Sequence, residues 1–135
     1  MSWQNISHIY CGLFGEYIIG LTKDGRIVSA FSYGYGESVD TSGWNDIEML
    51  SIYCNMNLDS TLTIAGLKRD GTVVVVCDPD VGQSETSTWA DIISVCAGRG
   101  FVLGLKADGG IAVAGEGINI YEGFRINDVA DWKLK

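Results

Sequence analysis

Short apolar runs separated by polar and glycine-bearing breaks make up most of the chain. Runs at 6–11, 17–21, 27–31, 47–54, 62–67, 72–77, 92–97, 101–105 and 111–114 are rich in Ile, Val, Leu and aromatic residues, and they read as strands. Between the second and third run of each group stands an Asp-Gly pair: Asp24-Gly25, Asp70-Gly71 and Asp108-Gly109. Asp-Gly between apolar runs is a hairpin signal, because glycine takes a positive φ at little steric cost. The runs are so continuously apolar that they predict strands covered on both faces, as in stacked sheets.

The pattern recurs. Trp3, Trp44, Trp89 and Trp132 lie 41, 45 and 43 residues apart, and the first three are each followed three residues later by Ile6, Ile47 and Ile92. A Gly-Leu step precedes each Asp-Gly pair, at Gly20-Leu21, Gly66-Leu67 and Gly104-Leu105. A third marker stands at Gly36-Glu37-Ser38 and Gly82-Gln83-Ser84. Three markers in fixed order divide residues 1–135 into one repeat domain, with copies at about 3–43, 44–88 and 89–131 and the start of a fourth at 132–135. A period of about 40 residues with three or four short strands is the size of a propeller blade. A β-solenoid is the competing architecture, but its coils are shorter and do not need a hairpin in each repeat.

The motifs resemble the regulator-of-chromosome-condensation repeat, whose order is Trp, Asp-Ile, an Ala-Gly step, Gly-Leu-Lys-x-Asp-Gly and a later Gly-Gln. Asp91-Ile92, Ala97-Gly98, the Gly104 to Gly109 stretch and Gly82-Gln83 carry the likeness. The resemblance covers essentially the whole chain and implies a propeller that acts as a binding scaffold. The sequence departs from the family at Glu16-Tyr17, where His-Thr is common, at the extra residues 55–60, and at Ile120, which replaces the counterpart of Gly36. Family propellers have seven blades, and this sequence supplies three.

The expected fold is therefore all-β, with three propeller-type blades of short antiparallel strands. Three blades leave two radial faces bare, and two copies joined head to tail would close a six-bladed homodimeric ring; the alternative is an arc of a longer propeller, to which the start of a fourth copy points. Trp3, Trp132 and Leu134 are the expected closure residues.

Charge narrows the partners. Seventeen acidic residues against nine basic ones give a net charge of −8. Such a surface repels phosphate, and the longest basic cluster is Lys68-Arg69, so nucleic acid is not an expected partner. No apolar stretch approaches the roughly 18 residues that span a bilayer, and the first residues lack the form of a signal peptide; no membrane contact and a cytoplasmic location are expected.

Candidate chemistry is sparse. Cys11, Cys54, Cys77 and Cys96 fall at small-residue positions inside predicted strands without Cys-x-x-Cys spacing, which predicts core packing and neither metal nor disulfide. His8 is the single histidine, early in a predicted strand. Asp24, Asp70 and Asp108 are turn residues, and Asp46, Asp91 and Asp128 belong to blade edges or turns. Asp78-Pro79-Asp80 lacks calcium-loop spacing, and Gly34-Tyr35-Gly36 and Gly98-Arg99-Gly100 lack phosphate-loop spacing. One Trp per repeat is expected to staple neighbouring blades.

The sequence therefore predicts no catalytic, cofactor or metal residue. It points to a non-enzymatic interaction or assembly module, with itself and an unidentified protein as partners. Tyr33, Tyr35, Tyr121 and Phe124, in the irregular connectors, are the expected partner contacts. An acidic inhibitor or decoy of a basic partner, and small-molecule binding in the propeller funnel, are the alternatives.

Overall fold

The computed structural model describes residues 3–12, 17–31, 40–55, 61–78 and 84–116. These residues form nine strands and no helix: β1 (Ile6–Cys11), β2 (Tyr17–Thr22), β3 (Ile27–Phe31), β4 (Ile47–Asn55), β5 (Thr61–Lys68), β6 (Val73–Asp78), β7 (Ile92–Gly98), β8 (Phe101–Lys106) and β9 (Ile111–Ala114). They pair as three separate antiparallel sheets, β1-β2-β3, β4-β5-β6 and β7-β8-β9. The second sheet packs between the other two, and the described sheets close no ring.

Register makes the repeat physical. Gly20 pairs with Ile9, Gly66 with Leu50 and Gly104 with Val95, so these residues occupy one position in three sheets. Alternation of side chains then gives each sheet a trailing face toward the preceding sheet and a leading face toward the next. The leading face of the first sheet (Tyr17, Ile19, Leu21) meets the trailing face of the second (Leu50, Leu62, Ile64) in one core. Ala65, Leu67 and Val73 on the other side of the second sheet meet Val95 and Val102 of the third. The central strand β5 is buried from Thr61 to Leu67, as a strand enclosed on both faces must be.

The hairpins have three-residue loops. The amide of Gly71 donates to the carbonyl of Lys68 at 3.0 Å, and the amide of Lys68 donates to that of Thr72 at 2.9 Å. This is a turn closed by a positive-φ glycine (Gly71, φ 83°), and Gly25 and Gly109 repeat it at 78° and 87°. At the same end of each sheet a bulge interrupts the first strand, after Ile6, Ile47 and Ile92, which pair with the residues that open the turns. The residue before each isoleucine has positive φ: Asn5 at 58°, Asp46 at 55° and Asp91 at 56°. Asn and Asp tolerate this conformation better than other side chains, which explains their presence there.

Bulge and turn lock successive sheets together. The amide of Ile47 donates to the carbonyl of Gly25, and that of Ile92 to the carbonyl of Gly71, both at 3.0 Å. Trp44 and Trp89 sit within the two joints. A Cβ on Gly66 would lie 2.9 Å from Trp44 Cζ3, so the missing side chain is what lets the indole rest on the strand. Trp44 packs against the first core and Trp89 against the second, which agrees with a stapling role.

Candidate interaction surface

Two positions of the first sheet are exposed where their counterparts in the next two sheets are buried. Leu50 and Val95 are 3% and 4% exposed, whereas Ile9, at the same position of the first sheet, is 68% exposed. Ile64 and Val102 are 1% and 0% exposed, and their counterpart Ile18 is 46% exposed. Ile18 lies between Cys11 and Ala30 across the sheet, and both of those are also exposed. The trailing face of the first sheet is thus an open apolar surface. Burying one isoleucine from water is worth about 1.5–3 kcal/mol.

At the opposite end, Phe101, Leu103 and Leu105 occupy the leading face of the third sheet and are half-buried. Their counterparts Tyr17, Ile19 and Leu21, and Thr63, Ala65 and Leu67, are all buried in the two joints.

The cysteines correct one expectation. Cys11 and Cys96 are exposed free thiols, not core residues, and Cys54 and Cys77 are half-buried. The register also moves their alignment: Cys11 does not share a position with Cys54, and the positions of Cys11 and Cys96 hold large residues in other sheets. Cys11 shares its position with Ile52 and Ala97, which pack against the two cores, while Cys96 shares its position with Ser51 and Tyr10.

Other candidates stay apart. His8 is exposed, with Nδ1 3.2 Å from Ser7 Oγ, but that hydroxyl donates to the carbonyl of Leu21 at 2.9 Å. The contact is therefore no nucleophile–base pair. Asp70 Oδ1 accepts from the Thr72 hydroxyl at 2.6 Å and the Thr72 amide at 3.0 Å. These bonds, the hydroxyl first, hold its carboxyl below the ordinary aspartate range. Asp40 is lowered in the same way by the Ser42 hydroxyl and then the Ser42 amide. The Gly110 amide donates to Asp108 Oδ1 at 2.8 Å, so these aspartates are spent on turns. Among the described residues, no three His, Cys, Asp or Glu side chains gather as a metal site would require. No described helix is long and apolar enough to cross a membrane.

Trp3 lies on the open trailing face, its indole against Gly20. Tyr33, Tyr35, Tyr121, Phe124, Trp132 and Leu134 lie outside the described residues, as do Pro79, Asp80 and Asp128. Sequence reasoning missed Ile9 and Ile18 as surface residues. Aligning them with Leu50, Val95, Ile64 and Val102 finds the positions, but their exposure is set by the arrangement of the sheets. No family model matches the chain, and no curated protein matches it.

Proposed function

We propose that the chain is a non-enzymatic protein-interaction and assembly module, built from propeller-type repeats like those of the regulator-of-chromosome-condensation family. The supporting observation is the contrast between Ile9 and Ile18, open to solvent, and their buried counterparts in the next two sheets. A contiguous apolar sheet face that repeats the chemistry of two internal joints is suited to receiving another sheet. In this reading the open face takes up a further sheet, and the assembled rims carry contacts to another protein. The exposed thiols of Cys11 and Cys96 suit a reducing compartment such as the cytoplasm.

Native mass analysis of the chain in extract of its own cells tests this reading. It is expected to travel in a complex heavier than its own 14.6 kDa. Migration as the bare chain under gentle conditions would contradict an assembly role.

A further inference from the structure

The two internal joints are built alike, and their parts recur at the two ends of the stack without a partner sheet among the described residues. In each joint the isoleucine after the bulge donates its amide to the turn glycine of the preceding sheet: Ile47 to Gly25, and Ile92 to Gly71. Ile6 follows a bulge residue of the same conformation (Asn5, φ 58°), and Gly109 closes a turn of the same conformation (φ 87°). Among the described residues no backbone amide reaches the Gly109 carbonyl, and no carbonyl receives the Ile6 amide across a sheet joint. The first sheet offers a trailing face, the third a leading face, and the two belong to one joint type.

Resting on the assembly reading above, we infer that the partner is a second copy of this chain. The leading face of its third sheet seats on Ile9 and Ile18, with the Ile6 amide donating to the Gly109 carbonyl of the other copy. A second copy is the fitting occupant because this joint already occurs twice inside the chain, with the same backbone bond and the same apolar rows. Among the described residues, the leading face of the third sheet carries the complement outside the two internal joints.

The inference fixes an atomic neighbour that can be trapped. In the second joint, the amide of Ala97 donates to the hydroxyl of Ser51 at 2.8 Å. Cys11 holds the position of Ala97, and Cys96 holds that of Ser51. Across a joint between copies, Cys11 of one therefore faces Cys96 of the other.

Mild oxidation of the purified 135-residue chain with copper–phenanthroline is expected to give a disulfide-linked dimer whose peptide map contains Cys11–Cys96. An Ile9→Glu/Ile18→Glu double variant alters exposed positions only. It is expected to retain its circular dichroism and unfolding midpoint, lose the crosslink and fall to 14.6 kDa by light scattering. A wild-type chain that stays at 14.6 kDa up to its solubility limit would overturn the inference, as would crosslinks scattered over all four cysteines.

If such a monomer showed slow exchange at the Val129 amide, the Gly109 carbonyl would belong to the chain's own Asp128-Val129, and the second copy would be wrong. That pair stands 20 residues after Gly109, against 22 from Gly25 to Ile47 and 21 from Gly71 to Ile92. A heavier complex in extract beside a purified monomer would leave the assembly role standing and reject self-association.

Discussion

Single residues show where the fold is tight and where it tolerates change. Thr63 is 0% exposed, and its Oγ1 has no hydrogen-bond partner among the described residues. Removing a buried unsatisfied hydroxyl while keeping the shape relieves its desolvation cost, of order 1–3 kcal/mol. Thr63→Val is therefore expected to raise stability by about 1 kcal/mol in urea unfolding; a loss of stability would show that the hydroxyl has a partner. Asp70 makes a pH prediction. Its folded pKa lies below its unfolded value because the Thr72 hydroxyl and amide bind the carboxylate. Its contribution is present above the unfolded pKa and is lost as pH falls through the depressed folded pKa. NMR titration should place the Asp70 midpoint below the ordinary aspartate range, and Asp70→Asn should flatten the acid limb of the stability profile slightly. An ordinary midpoint would contradict the hydrogen-bond geometry.

Among elements, the latch between bulge and turn is the most exacting feature. A Cβ on Gly25 would lie 2.6 Å from the Ile47 amide nitrogen, whereas one on Gly71 would stand 3.2 Å from the nearest Asp91 atom. Both glycines have positive φ, so alanine is strained at either position; only at Gly25 does it also drive into backbone. Gly25→Ala is expected to cost more than Gly71→Ala, with the latter near the roughly 1 kcal/mol of a left-handed residue. Equal costs by denaturant unfolding would argue against the latch as described. The strands themselves were legible, because apolar runs broken by Asp-Gly leave few other ways to hide the side chains. All nine expected segments match a strand within about two residues. The three-residue loops were not legible, since Asp-Gly also serves the shorter hairpin turn. The positive φ at Asn5, Asp46 and Asp91 had only the recurrence of Asn or Asp before Ile as its trace.

At the scale of the molecule, burial is decided by neighbours, and that is where sequence reading reached its limit. Cys11 and Cys96 occupy positions that are half-buried in the other sheets, yet both are exposed, each on an end face of the described stack. The same holds for Ile9 and Ile18, which are indistinguishable by type from Leu50 and Ile64. A repeat pattern reports what each copy is built to contact, and only the arrangement of sheets reports which contacts are made. Charge acts against association: two copies carrying −8 each repel one another. Screening shortens that repulsion to about 8 Å at 0.15 M salt. Dimerisation is accordingly expected to strengthen as salt rises from low to physiological ionic strength in sedimentation equilibrium. Weakening with salt would instead point to ion pairs across the joint.

Hydrogen exchange at three matched amides tests most directly whether one joint serves every level of this molecule. Ile47 and Ile92, bonded to Gly25 and Gly71, should be protected at every protein concentration. Ile6 should exchange freely when the chain is dilute and gain protection as concentration rises. Rapid exchange at Ile47 or Ile92, or an Ile6 amide indifferent to concentration, would contradict it.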